Sequence, residues 1–417
     1  MKRKFLCMAL SVILTSAALC GCNKAGGADR AEAAHEREPL TIWTATDIHY
    51  LSPELTDDGE LFRKVIADGD AKLTEYSQEI VDEFLREVIE ANPDALVLTG
   101  DLTFNGEILS LREIAEKLEA VQEAGIPVLV IPGNHDIDSY RAFSYSGNDV
   151  AYTDNISKED FREICWNFGP ADALSCAEDS FSYVYALTDD VWLITIDANT
   201  KGAGRVTDET LAWAKKQLEK AREEGIEVIT ATHQSVLPQN KRMVFGFIIS
   251  NHEEVAEMLR ENDVRLNLSG HIHMQHIASD EKQDKTDENS YSIKGAGLTD
   301  IATGSMAVAV LRYGIVEIDE NRDFIYTMSS VNTLREEARM RFDSRTRAQI
   351  DAALFEIEIP DDIRAQMTDF AVDLNFRYFT DELENDFIEN NKDNFAIWEK
   401  YAGDTFWGSY IASMREQ

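Results

Sequence analysis

The chain has 417 residues, more than one average domain needs, and a hydrophobic content of 44% that supplies a sizeable core and excludes global disorder. Its 77 acids against 40 bases leave a formal charge of −37. A surface that acidic excludes binding to duplex nucleic acid or to an anionic membrane through a broad basic face, and phosphate chemistry would need positive charge supplied locally.

Residues 1–21 read as an address. Lys2, Arg3 and Lys4 precede an apolar stretch over residues 5–19, short of the roughly 18 or more residues of a spanning helix, and Leu19-Cys20-Gly21-Cys22 follows. The order basic, apolar, small is that of a secretory signal. Its ending resembles a bacterial lipobox, which implies cleavage before Cys22, a diacylglycerol on its sulfur and attachment to the outer face of the cytoplasmic membrane. Residues 22–38 form a tether of Gly, Ala and charged residues. Cys7 and Cys20 leave with the signal, while Cys165 and Cys176 remain, free to pair in an exported protein or to stay as buried thiols.

Residues 39–328 alternate short apolar runs with charged, helix-favouring stretches. The runs lie at 40–45, 95–98, 128–131, 191–196, 228–231 and 266–268, and the helical stretches include 80–90, 110–123 and 209–224. Such alternation predicts an α/β core with largely parallel strands. A more alternating set at 292–293 and 306–318 predicts a second sheet packed on the first. Residues 329–417 differ: no glycine occurs between Ser329 and Ala402, and Ile363, Met367, Phe370 and Leu374 recur at helical spacing. Pro360 followed by Asp361 and Asp362 suits a helix start. With Phe387, Ile388, Phe395, Trp398 and Tyr401 beyond, this part reads as an all-α C-terminal domain.

Polar residues gather just past the predicted strands: Asp47 and His49, Asp101, Asn134 and His135, His233, then His271 and His273. Ligands of such sheets bind at the carboxyl ends of the strands. In Asp47-Ile48-His49 and His271-Ile272-His273 an extended backbone would turn the outer side chains to one side. Two imidazoles two residues apart can then serve neighbouring ions, and Asp101 has two oxygens with which to bridge. Gly100 before it allows close backbone approach. Carboxylate, amide and imidazole donors together suit hard to borderline divalent metals rather than a thiolate site. Each piece alone is common, but five in order, each after a strand, are not coincidence.

The set Asp47-Ile-His49, Gly100-Asp101, Gly133-Asn134-His135-Asp136, His233 and Gly270-His271-Ile-His273 resembles the calcineurin-like metallophosphoesterase superfamily over about 230 residues. Among its branches, the pattern is similar to the class III cyclic nucleotide phosphodiesterases. The stretch Gly100-Asp-Leu-Thr-Phe-Asn-Gly-Glu107, residues 69–80 and the helical tail resemble exported bacterial lipoproteins of that type. The resemblance implies a two-sheet sandwich flanked by helices, α/β/β/α, and two divalent ions (Mn, Fe or Zn). Asp47, His49 and His273 would take one ion and Asn134, His233 and His271 the other, with Asp101 between them. His135 would stand beside the phosphate with Asp136 holding its ring.

Two such ions acidify a shared water and neutralise charge growing on a phosphoryl group, while His135 is suited to protonate the leaving oxygen. The expected function is a phosphodiesterase of cyclic nucleotides or similar diesters. The alternatives are a phosphomonoesterase or nucleotidase with the same metals, and a surface binding lipoprotein without hydrolysis. Of the remaining candidates, His276 reads as a neighbour of the site or a surface residue, and His252 as a helix start without chemistry. Asp197 and Asn199 read as turn or cap residues that can also border the pocket. Tyr50 can stack on a base, and the acidic helix 209–224 is a solvated face.

Overall fold

The computed structural model describes residues 37–201 and 204–415. The expected signal, tether and lipidated Cys22 lie outside the described residues. Among the described residues no helix is long and apolar enough to cross a membrane.

The strands in chain order are β1 (Leu40–Ala45), β2 (Ala95–Leu98), β3 (Val128–Val130), β4 (Phe143–Ser146), β5 (Asp149–Tyr152), β6 (Ser175–Cys176), β7 (Tyr183–Ala186) and β8 (Val191–Thr195). They continue as β9 (Glu227–Ala231), β10 (Leu266–Ser269), β11 (His276–Ser279), β12 (Asp284–Lys285), β13 (Ser290–Ile293), β14 (Thr299–Ala302), β15 (Arg312–Ile318) and β16 (Phe324–Ser330). The helices are α1 (Glu60–Asp68), α2 (Ser77–Ala91), α3 (Ile108–Glu123), α4 (Lys158–Ile164), α5 (Asp208–Glu224) and α6 (His252–Glu261). In the tail follow α7 (Arg335–Leu354), α8 (Asp361–Phe379), α9 (Asn385–Asn390), α10 (Lys392–Ala402) and α11 (Phe406–Ser413).

Two seven-stranded sheets form the body. The first runs β12-β13-β16-β15-β1-β2-β3, with β1, β2 and β3 parallel and the rest antiparallel. The second runs β11-β14-β10-β9-β8-β7-β6, parallel from β14 through β8. The late alternating segments therefore do not make the second sheet, as the sequence suggested. β13 and β15 extend the first sheet, because β15 pairs antiparallel with β1 over a separation of more than 260 residues that no local pattern reveals. Residues 306–311, expected within that strand, form no strand.

Period-two alternation holds the layers together. In β8, Val191 and Leu193 join the core between the sheets, whereas Trp192 and Ile194 join α5 and α6 on the outer face. Ile80, Phe84 and Val88 of α2, with Leu111, Ile114 and Leu118 of α3, cover the first sheet from the other side. The result is helices, sheet, sheet, helices. Helix ends follow ordinary capping: the Thr207 hydroxyl accepts the Thr210 N–H at 3.1 Å to open α5, and Gly225 closes it at φ 72°. Cys165 and Cys176 are both free thiols, and burial raises the pKa of each.

The tail packs directly on the body. Its core joins Ile350, Met367, Phe370, Leu374, Trp398 and Ile411 to Ile272 and Met274. Ile272 sits between His271 and His273, so the tail helices form part of the floor beneath that pair. The Gln275 N–H donates to the Phe379 carbonyl at 2.9 Å, and Arg312 donates to the Thr380 carbonyl and the Glu382 carboxylate. Trp398 is 1% exposed and donates its indole N–H to the Met367 carbonyl at 3.0 Å. Trp398→Ala is expected to lower stability by about 3–5 kcal/mol. Because the core is shared, urea unfolding followed by far-ultraviolet circular dichroism should shift as one transition; a separate early transition of the tail alone would contradict the shared core.

Candidate dinuclear metal centre

The carboxyl ends of β1, β2 and β3 lie beside those of β9 and β10, and each delivers one part of the site. Asp47 and His49 follow β1, Asp101 follows β2, Asn134 follows β3, His233 follows β9, and His271 and His273 follow β10. Two clusters result, Asp47 with His49 and His273, and Asp101 with His233 and His271, the potential ligand atoms of each lying within 4.8 Å of one another. Asp101 lies between them: its Oδ2 is 3.3 Å from His233 Nε2 and 3.9 Å from His49 Nε2. Asn134 Oδ1 reaches His233 Nε2 at 3.1 Å and so joins the second cluster. All seven expected ligands are thus brought together.

The backbone achieves this differently from the extended stretches expected. Asp47, His49, Asp101, His271 and His273 all adopt positive φ, between 48° and 68°. Each such residue costs on the order of 1 kcal/mol, a strain that recurs at functional sites. The middle residues do point away, Ile48 and Ile272 being buried in the core. Two glycines make the crowding possible. A Cβ on Gly133 would lie 2.1 Å from Asp101 Oδ1, and one on Gly270 would lie 1.9 Å from Thr46 Oγ1 and 2.7 Å from Asp47 Oδ2.

Hydrogen bonds leave the metal-facing atoms unspent. Asp47 Oδ2 accepts from the Thr46 hydroxyl and the His271 N–H, both at 2.8 Å, whereas its Oδ1 is buried without a hydrogen-bond partner, 3.4 Å from His273 Nε2. His233 Nδ1 faces the Thr99 carbonyl at 2.8 Å, which fixes a proton there and leaves Nε2, 3.3 Å from Asp101 Oδ2, as the nitrogen that a metal ion can take in exchange for a proton. His49 and His273 face each other through Nε2 at 3.1 Å. An orphaned buried carboxylate oxygen beside converging imidazole nitrogens fits a bound divalent cation.

Charge follows the same arrangement. Burial raises the Asp101 carboxyl, but His233 and His135 beside it more than offset this and hold it well below the usual carboxylate range. Burial lowers His233, yet Asp101 and Asp47 carry it up to about 9. Burial and the neighbouring His233 push His271 down to about 4.

His135 stands next to these clusters, its ring edge-on to His49 at 4.9 Å. The Asp136 carboxylate does not hold that ring, contrary to expectation. It accepts from the N–H groups of Leu102, Thr103 and Gly133 and from the Thr103 hydroxyl, so it ties the two metal-bearing loops together. Backbone donors lie closer to it than any imidazole. Burial and the charge of Asp101 raise Asp136 to about 6. The ring is instead oriented by the Phe104 carbonyl, 2.9 Å from Nδ1, and by Asn105 Oδ1 at 3.0 Å. Asn105 was not singled out from the sequence, although it lies inside the quoted stretch ending at Glu107.

The other candidates fall into place. Tyr50 is buried and donates to Glu113, so it stacks on no ligand. Asp197 caps the turn of Asn199 and Thr200 and accepts the Phe181 N–H. Asn199 bonds the Pro132 carbonyl and Gln234, and it also borders the cavity that opens beside Asn134 and His135. That cavity has a volume of about 500 Å³ and a rim bearing Arg141, Lys158 and Lys201. His276 lies on β11 against Gln239 and Tyr378, and His252 begins α6.

A model of calcineurin-like phosphoesterases matches residues 40–275, a span that holds every ligand from Asp47 to His273. The chain belongs to the calcineurin-like phosphoesterase family. Among similar curated proteins of the family is a "Probable cyclic nucleotide phosphodiesterase" of Rhodococcus erythropolis, 29% identical over 229 residues, 54% of this chain and 64% of that one. A "cAMP/cGMP dual specificity phosphodiesterase" of Mycobacterium tuberculosis is 24% identical over 244 residues, 58% of this chain and 64% of its own length. A "Probable glycerophosphodiester phosphodiesterase" of Arcobacter nitrofigilis is 27% identical over 188 residues, 44% and 58% of the two chains. The chain therefore spans less than two thirds of these relatives' lengths. A solved dimetal phosphatase from Danio rerio superposes with a TM-score of 0.48 at 14% identity, covering 70% of this chain and 99% of that one. The tail helices lie beyond the family match.

Glu107, at the end of the loop that carries Asp101, is a buried carboxyl with no cation among its hydrogen-bond partners. One oxygen accepts the Asn105 N–H at 3.0 Å and the other is buried without a hydrogen-bond partner. Burial raises its pKa from 4.5 to about 7, and the charge of Asp136 adds to the rise. The folded state then binds the proton more tightly than the unfolded state, so stability falls as pH rises from about 4.5 to about 7. Glu107→Gln removes this loss. At pH 8 the variant is expected to be more stable than the parent by on the order of 2 kcal/mol, with the difference shrinking toward pH 4.5. Urea unfolding of both proteins across that range checks it; a difference independent of pH would show that Glu107 is not the titrating group.

Proposed function

We propose that the protein is a dinuclear-metal phosphodiesterase of cyclic nucleotides or similar small diesters. The observation that carries this reading is the pair of clusters joined through Asp101, with Asn134 and His135 opening onto one cavity. The names of the relatives, cyclic nucleotide and glycerophosphodiester phosphodiesterases, support diesters over monoesters. When bound, two divalent ions would supply Lewis acidity to the phosphoryl group and an attacking water at neutral pH. Asp47, His49 and His273 would hold one ion and Asn134, His233 and His271 the other, with Asp101 shared. Mn, Fe and Zn all suit these donors.

The chain's own residues account for the rest. Nδ1 of His135 keeps its proton between two carbonyl oxygens, which leaves the opposite nitrogen for the cavity that the residue lines. Burial disfavours the cation of His135, so the form that carries a proton on that nitrogen is a strong acid, suited to give it to the departing oxygen. Asp136 acts at one remove, fixing the Leu102–Thr103 backbone against Gly133 so that Asp101 and His135 keep their separation. Arg141, Lys158 and Lys201 on the rim offer an anionic ester the local attraction that the acidic surface lacks.

Activity should be read on bis-p-nitrophenyl phosphate and p-nitrophenyl phosphate with Mn supplied. Preference for the diester is expected; preference for the monoester would give the nucleotidase reading, and turnover of neither the binding-lipoprotein reading. His135→Ala should lower kcat by about 10²–10³ while metal content stays unchanged. Full turnover by that variant would remove the histidine from the mechanism.

We also propose an exported protein held to the outer face of the cytoplasmic membrane by a lipid on Cys22, a reading supported by the sequence Leu19-Cys20-Gly21-Cys22 after the apolar stretch. Radiolabelled fatty acid supplied to the producing cells is expected to label the parent and not Cys22→Ser. An unlabelled parent would exclude the lipid as the anchor.

A further inference from the structure

His271 is oriented by a group from outside the ligand set. Its Nε2 lies 2.9 Å from the Gly246 carbonyl. A carbonyl oxygen only accepts, so Nε2 carries the proton, and the lone pair of the neutral ring is on Nδ1, the nitrogen left for an ion. The position of one backbone carbonyl therefore decides where Nδ1 points. Loss of that bond would free one ligand of the second cluster and leave the first, Asp47 with His49 and His273, complete.

Gly246 belongs to a loop whose tip has little support of its own. Val244, Phe245 and Phe247 are exposed, Phe245 at 99%. The Phe247 N–H donates to the Val244 carbonyl at 3.2 Å and the Met243 N–H to the Asn240 carbonyl at 3.0 Å, bonds that shape the loop without attaching it to anything. Gly246 adopts φ 81°, and a Cβ there would meet no atom within 4 Å. A larger residue would thus disturb the backbone angle alone.

The attachment comes from the helical tail. Asn240 is 6% exposed, and its Nδ2 donates to the Tyr378 hydroxyl of α8 and, at 3.1 Å, to the Ser413 hydroxyl of α11. Its Oδ1 accepts the Arg242 N–H at 2.7 Å. Both ends of this amide are spent inside the protein, which makes it a joint between loop and tail. Met243, three residues before Gly246, packs against the tail core as well.

We propose that Asn240 is a positioning residue for the second metal ion: it ties the 240–246 loop to the tail helices, so that the Gly246 carbonyl holds His271 with Nδ1 free for the ion. The proposal rests on the dinuclear reading of the site and not on which ester is cleaved. It is tested on the full chain, stripped with chelator and titrated with Mn, using Asn240→Leu and Gly246→Val. The first variant removes the joint. The second leaves the joint in place, but its branched side chain disfavours φ 81° and so displaces the carbonyl. Calorimetry gives the affinity of each Mn, and electron paramagnetic resonance reports the exchange-coupled Mn pair.

Both variants should bind the first Mn as the parent does and the second about 10–100-fold more weakly, with the coupled signal returning at saturating Mn. A second-Mn affinity within about twofold of the parent in either variant overturns the proposal. Equal weakening of both ions also overturns it, because general loosening of the fold would give that result. Should Asn240→Leu fail to fold, Tyr378→Phe combined with Ser413→Ala removes the same two hydrogen bonds from the tail side and decides by the same readings. A parent that binds two Mn but cleaves neither ester would sink the phosphodiesterase reading and leave the Mn titrations to judge Asn240. A parent that binds only one Mn overturns the proposal.

Discussion

Two carboxylates, Asp47 and Asp101, are removed from water at the meeting point of five strand ends, and the burial of that charge is the constraint on which the site depends. An isolated buried carboxylate is expensive, and the usual remedy, an arginine or lysine at contact distance, is missing from the ion pairs of both. Imidazoles surround them instead. His233 turns Nδ1 to the Thr99 carbonyl and Nε2 to Asp101, and Asp47 Oδ1 is left without a hydrogen-bond partner. A divalent cation satisfies that oxygen and can replace the proton on His233. The local strain is consistent with this view: five left-handed residues and two glycines that tolerate no Cβ bring two like-charged carboxylates and their imidazoles together.

The reach of that constraint extends past the family-matched residues. His271 and His273 alternate with Ile272 and Met274, whose side chains enter the core of the tail. A two-residue period on a short segment sends ligands one way and anchors the other. The tail therefore bears on the dinuclear site from below through these anchors. A helical cap that only shielded the sandwich edge would not need that contact.

Much of this was legible in the sequence, for particular reasons. Central strands buried on both faces read as continuous apolar runs, so β1 and β2 are found at their observed limits. The ligand motifs stand out because each follows such a run and carries residue types that strands otherwise avoid. What was illegible depended on long-range pairing or on geometry. β15 joins the first sheet through β1, a partner at the other end of the domain. Asp136 was assigned to the adjacent imidazole because neighbours in sequence look like partners, whereas a turn presents its carboxylate to backbone donors more than 30 residues away.

The charge of −37 is best understood by distance. At physiological ionic strength the field of surface acids fades over about 8 Å, so an approaching phosphate ester responds to the groups around the cavity more than to the whole molecule. Those groups run against the average: Arg141, Lys158 and Lys201 line the cavity beside Asn134 and His135. The acids at the centre are already committed to holding cations. An excess of negative charge on the outside and a site that attracts anions on the inside are therefore compatible, because the two are read at different ranges.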